Sequence, residues 1–251
     1  MTAEAPPHPL LHRDEEFLAV AKPPGVLVIR GRGPLERPVL REELEAWLRA
    51  CGEPDRLWVV HRLDADTSGA VLFARTAAAH REANAAFERG LVAKTYLAVV
   101  EGSVAFDTGT IDLPVAPTRD PARMRAHREK GKASRTEWRV LERYRAPGGG
   151  FALLEVHPRT GRRHQVRVHL AAAGFPLAVD PIYGRRSALR ASEIEGRPPR
   201  EGEPPLVGRL SLHALRLEVP RRGQAPLVLE APLPPDLERA LAALRAHRVS
   251  S

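Results

Sequence analysis

Apolar and polar positions divide this chain into short strands, a few amphipathic helices and polar breaks. FLAVAKPPGVLVIRG (17–31) predicts two short strands around a Pro-Pro-Gly break. REELEAWLRA (41–50) predicts a helix, with Leu44, Trp47 and Leu48 on one face and acids leading basics. LWVV (57–60) and AVLFA (70–74) predict buried strands, AAAHREANAAFERGL (77–91) a helix ending near Gly90, and KTYLAVVEG (94–102) a strand. SRTEWRVLERY (134–144) and FALLEVH (151–157) predict a strand pair joined through RAPGGG. TGRRHQVRVHLAAAG (160–174) predicts a helix, with Val166, Leu170 and Ala173 on one face and Arg163 and Arg167 on another at i, i+4. LSLHALRLEVP (210–220) and PLVLEAP (226–232) predict a terminal strand pair, and PPDLERALAALRAHR (234–248) a last helix with Asp236 early in its first turn.

Three stretches fit neither period. Residues 1–9 read as a Pro-rich tail. Residues 118–132 hold six Arg and Lys against two acids and predict an exposed basic loop. Residues 185–205 are polar and Pro-rich, a long surface loop. No internal repeat occurs. Strands outnumber helices, and short turns join several neighbours. The expectation is an α+β fold, a mixed, largely antiparallel sheet with flanking helices. The predicted organisation is a flexible tail over 1–14 and a single domain over 15–251.

Composition narrows the function classes. A chain of 251 residues, 43% hydrophobic, buries a real core, and with 5% aromatics that core is mostly Leu, Val and Ala. The formal net charge of +8 favours a polyanionic partner, although Arg-rich composition also follows from a GC-rich genome. A lone cysteine, Cys51, allows neither an intrachain disulfide nor a cysteine-based zinc cluster, and fits a reducing compartment. MTAEAPPHPL lacks the basic start and apolar run of a signal peptide, and no segment has the length of a membrane span. A cytoplasmic protein is expected.

The densest chemistry is HRLDADTSG (61–69), between two apolar runs. A plain Asx turn would explain Asp64 or Asp66 as an acceptor of backbone N–H bonds. A sharper reading starts from charge: a half-buried carboxylate needs a cation nearby to stay ionised. Arg62 alternates to the opposite side of an extended segment and would reach outward, so that cation must come from elsewhere. The arginines of 160–174 are candidates. An ionised Asp held by Arg and not by a metal can act as nucleophile or base. No GxxxxGK[ST] loop, GxSxG elbow or HExxH occurs, GRGPLERP is not a dinucleotide fingerprint, and His164 and His169 are not at i, i+4. Neither a cofactor nor a metal is expected.

VAKPPGVLV, HRLDADTSG, KTYLAVVEG, TGRRHQVRVHLAAAGFPLAVDPIYG and LSLHALRLEVP occur in that order from about residue 15 to 232. Together they resemble the RluA-type pseudouridine synthases. The resemblance implies an enzyme that isomerises uridine to pseudouridine in folded RNA without metal or organic cofactor. It implies that Asp64 is the catalytic residue, attacking the sugar C1′ or the base C6 or assisting glycal formation. It implies that Arg62 fills the gap left by the flipped base, that Tyr96 packs on that base, and that Arg167 pairs with Asp64. His61, Arg62, Arg162, Arg163 and His164 form the expected RNA-binding and base-flipping set, with Arg159 and the loop 118–132 on phosphates. Extruding a base costs a few kcal/mol, which a planar cation stacked into the hole offsets.

Lys22 reads as support for the sheet and loop. Two departures stand out: the match begins too near residue 15 to leave room for the N-terminal S4 domain of many relatives, and Ala-Val precedes Asp180, the expected organiser of its loop. The RNA is expected to be ribosomal first and transfer RNA next, and the protein a monomer. Taken alone, Tyr96 reads equally as a core tyrosine and Arg167 as a solvated helix charge. Two rival functions remain: a non-catalytic RNA-binding role on the same fold, and a hydrolase using Asp64 and Asp66 as an acid/base pair.

Overall fold

The computed structural model describes residues 5–31 and 37–249. The first four residues of the expected tail and residues 32–36 of GRGPLERP lie outside that range. In chain order the elements are β1 (Leu10–Arg13), β2 (Phe17–Lys22), α1 (Leu40–Ala50), β3 (Trp58–Val59), β4 (Ser68–Ala74), α2 (Ala77–Glu88) and β5 (Ala93–Glu101). There follow β6 (Thr108–Asp112), β7 (Val115–Pro117), β8 (Met124–Ala126), β9 (Arg135–Ala146), β10 (Gly149–Pro158) and α3 (Gln165–Ala172). The chain closes with α4 (Ala191–Glu195), β11 (Leu212–Val219), β12 (Leu227–Glu230), α5 (Pro235–Arg245) and β13 (Arg248–Val249). The fold is α+β with largely antiparallel pairing and flanking helices. It divides into two compact units: residues up to Lys94 with Ala214–Pro232, and Thr95–His213 with the segment from Leu233 on.

In the first unit the strands run β1-β2-β4-β11, with β3 on β4 and β12 on β11. β4 is buried along its whole length because both its faces are covered. Its alternation decides which helix each residue meets. Val71 and Phe73 pack with Leu40, Leu44, Trp47 and Leu48 of α1. Ala70, Leu72 and Ala74 pack with Ala79, Ala83 and Ala86 of α2. Thr76 caps α2, its hydroxyl accepting the Ala79 N–H, and Gly90 at φ 69° ends it where Gly90 was expected.

The second unit repeats this plan. Its strands run β5-β10-β9-β13, with β6 on β9, and β7 and β8 form a separate hairpin. Ala152, Leu154 and Val156 of β10 face Val166 and Leu170 of α3. Phe151 and Leu153, one step out of phase, face Leu237, Leu241 and Leu244 of α5.

Five expectations need correction. Residues 185–205 are not wholly a surface loop but contain α4, with Leu189, Ser192 and Ile194 buried. Leu10–Arg13 is not tail but a strand, paired antiparallel with β2. After the Pro-Pro-Gly break the chain makes only an isolated bridge, Leu27 with Val39; Val26 and Val28 are buried against α1 as loop residues. The basic loop contains the hairpin strand β8, although its residues are mostly exposed as expected. The helix over 160–174 starts only at Gln165, because His164 holds a left-handed backbone at φ 55°. Arg163 therefore precedes the helix and shares no face with Arg167.

Candidate active site

The motif 61–69 joins β3 to β4 in the first unit. Its backbone is clamped from the Lys-Pro-Pro-Gly break. Lys22, almost fully buried, donates from Nζ to the carbonyls of Pro23, Val26 and Ala65 at 2.8, 2.9 and 2.7 Å. The Gly25 N–H, at φ 85°, reaches the same Ala65 carbonyl at 3.0 Å. An ammonium on three carbonyls is a charge-assisted contact, stronger than a neutral one. The Thr67 N–H closes the turn on the Asp64 carbonyl at 3.1 Å. Asp64 is thus half-buried on a turn fixed from both sides.

Gly69 ends the motif, and only glycine fits there. Its φ is 126°, and a Cβ would lie 2.2 Å from the Ala214 carbonyl oxygen. Thr67 is buried, and its hydroxyl has no hydrogen-bond partner among the described residues. Asp66 is paired with Arg37 at 2.7 Å, both side chains about one third exposed. Arg62 is exposed, with no side-chain partner among the described residues.

His61 has a role within the sheet. Its Nε2 accepts the Leu72 N–H at 3.0 Å and its ring stacks on Phe87, with centroids 5.1 Å apart. β3 stops at Val59, so the ring nitrogen satisfies a strand amide that has run out of partner. Burial, then the charge of Lys94, hold this histidine down to about 4.

The second unit holds the other candidates. Tyr96 lies half-buried near the start of β5, opposite Val156, on the face that α3 covers. Arg167 is not a solvated helix charge. It is buried on α3, with Nε and Nη2 on the two oxygens of Asp180 at 2.7 and 2.9 Å. Asp180 organises its loop as expected: Oδ1 also accepts the N–H groups of Ile182 and Tyr183, at 2.9 and 3.1 Å. The Ala-Val departure before it leaves this grip intact, since Ala178 and Val179 are buried and hydrogen-bonded to Val99 and Ser211.

The neighbouring motif residues hold the fold together. The Arg162 N–H and the Thr160 hydroxyl donate to Gln165 Oε1. Arg162 Nε reaches the Ala133 carbonyl, and Arg163 Nη1 the Pro121 carbonyl at 2.7 Å, yet both side chains stay largely exposed. Arg159 pairs with Glu137. His169 bridges the Thr136 hydroxyl and the Leu113 carbonyl, and burial lowers its pKa. His164 Nδ1 lies 2.8 Å from the Tyr183 hydroxyl. Gln165, Thr136 and Tyr183 carry no charge and were not singled out by sequence. Only the place of Tyr183, three residues after Asp180, hinted at a role. Among the described residues no group of three or more His, Cys, Asp or Glu is arranged to hold a metal.

Residues 16–172 match the family described as RNA pseudouridylate synthase. That stretch is more than half of the chain. The chain belongs to this family. It is 36% identical over 246 residues to the ribosomal large subunit pseudouridine synthase D of Nitrosomonas europaea, covering 97% of this chain and 67% of that protein. It is 35% identical over 212 residues to the dual-specificity RNA pseudouridine synthase RluA of Vibrio vulnificus, covering 83% and 76%. The solved structure of human RNA pseudouridylate synthase domain containing 1 superposes with a TM-score of 0.71, at 27% identity and 98% coverage of both chains. This pseudouridine synthase is therefore an isomerase acting on RNA, built on the pseudouridine synthase fold. No described helix is long and apolar enough to cross a membrane.

Proposed function

We propose that the protein isomerises specific uridines in structured RNA, ribosomal RNA first and transfer RNA next, by base flipping and chemistry at Asp64. The observation that carries this reading is the turn itself. A half-buried aspartate sits on a backbone clamped by Lys22 and Gly25, two residues from an exposed arginine. Preorganisation of this kind suits a group that must meet a reacting atom at a set distance. The ribosomal preference follows the relatives named for the large ribosomal subunit.

The uridine leaves its stack, and Arg62 occupies the space it vacates. Asp64 assists cleavage of the N1–C1′ bond; the base turns, C5 bonds to C1′, and the C5 hydrogen leaves as a proton. Tyr96 packs on the base. Arg167 is the cation assigned to the Asp64 chemistry, and Asp180 fixes the plane of its guanidinium. Exposed Arg162, Arg163 and the basic residues of 118–132 add phosphate contacts. The reaction so written needs no cofactor, and a cytoplasmic monomer suffices for it.

Tritium release from uridine-C5-labelled, unmodified ribosomal and transfer RNA transcripts tests this directly. Release by the wild type and not by Asp64→Ala is expected, from ribosomal transcripts above all. Equal release by both would remove Asp64 from the chemistry. Tight RNA binding with no release by either would favour a non-catalytic RNA-binding role.

A further inference from the structure

We infer that Tyr183 is a positioning residue that ties the basic hairpin β7–β8 to the Arg167–Asp180 pair. This rests on the reading of Arg167 as part of the catalytic set. Four contacts within the second unit converge on this one side chain and its backbone. The hydroxyl accepts the N–H of Met124, in β8, at 2.7 Å. The same hydroxyl lies 2.8 Å from His164 Nδ1, just before α3. The ring lies under the Arg167 guanidinium, 5.0 Å from centroid to Cζ. The Tyr183 N–H is held by Asp180, whose carboxylate also grips Arg167.

The hairpin needs such an anchor. Its strands are three residues each, and an isolated ribbon of that size is unstable in water. Met124 stands opposite Pro117, and its amide N–H donates outside the two-stranded ribbon, to the Tyr183 hydroxyl. Arg163 braces the tip through the Pro121 carbonyl. Beyond these ties the hairpin presents exposed Arg119, Arg123 and Arg125. A phosphate backbone held by those arginines is thereby referred, through one phenol, to the Arg167–Asp180 pair. The phenol oxygen accepts from Met124 and is also paired with His164 Nδ1. The left-handed backbone of His164 is rare for a residue other than glycine, and it sets the ring at that hydroxyl.

The test is steady-state tritium release from a C5-labelled, unmodified large-subunit ribosomal RNA transcript, comparing wild type, Asp64→Ala, Tyr183→Phe and Tyr183→Leu. Tyr183→Phe keeps the ring over Arg167 and deletes the hydroxyl, so KM should rise about three- to tenfold, more than kcat falls. Tyr183→Leu also deletes the ring, so kcat should drop by a further three- to tenfold, roughly the worth of a cation–π contact. With Arg119→Ala and Arg123→Ala already in place, Tyr183→Phe should shift KM less than about twofold, because coupled sites are not additive. A wild-type KM in Tyr183→Phe, or a lowered melting temperature with equal loss of kcat in both Tyr183 variants, would leave Tyr183 a merely structural residue and overturn the inference. No release above background by the wild type would instead overturn the isomerase reading, and this inference with it.

Discussion

The turns at 61–69 and 160–164 use similar residues and are held in opposite ways. In the first, a remote buried lysine and a glycine amide grip backbone carbonyls, so the Arg62 side chain stays exposed. In the second, the side chains do the holding: Arg162, Arg163 and Gln165 bind backbone groups of other segments, and His164 binds Tyr183. An arginine's job is thus set by which acceptors lie within its reach. Arg62 and Arg163 look alike in sequence and both are exposed, yet Arg62 has no side-chain partner among the described residues while Arg163 also braces a hairpin.

The comparison breaks most sharply on two substitutions. Asp64→Asn should lower the rate by 10²-fold or more, the usual scale for losing a positioned acid–base or nucleophilic group. Its urea midpoint should fall less than that of the next variant, because the turn is held mainly through its backbone. Arg167→Met should lose activity and also cost about 3–5 kcal/mol of stability, since it strands the Asp180 carboxylate in the interior. Equal urea midpoints for the two variants would erase the contrast.

A smaller effect separates His61 from its expected RNA role. Unfolded, its ring takes a proton near 6.5; folded, it resists until about 4. The unfolded state therefore binds more protons in that window, and His61's contribution is full above pH 6.5 and lost as pH falls toward 4. His61→Gln, whose amide oxygen can still accept the Leu72 N–H, should flatten that part of the stability profile while leaving RNA affinity near wild type. A large loss of affinity would restore His61 to the RNA surface. The smallest effect is expected at Thr67. Replacing its buried, unpartnered hydroxyl by an isosteric methyl in Thr67→Val should leave the melting temperature unchanged or slightly raised. A marked fall would mean that the hydroxyl has a partner in solution.

Much of the fold was legible because the buried strands and helices carry clean periods. FALLEVH shows two faces that meet two different helices, and REELEAWLRA shows a single apolar stripe. The pattern failed where backbone geometry overrode it. GVLVIR has the apolar content of a strand, yet it follows a turn that commits its carbonyls to Lys22, and it stays a loop. TGRRH has helical spacing, but the left-handed His164 delays the helix by five residues and separates Arg163 from Arg167.

By itself the sequence determined the α+β class, the order of the motifs and, through HRLDADTSG and GRRHQVRVH, the family. These rest on local periodicity and on residue types that stay readable without coordinates. Only the tertiary structure decided what each polar group does. Lys22 became a clamp, His61 a strand acceptor, Asp66 an ion-pair partner and Tyr183 a junction. Those roles depend on hydrogen bonds between residues 11 to 59 positions apart. A buried polar group must find a partner wherever folding brings one, and sequence spacing carries no record of that meeting.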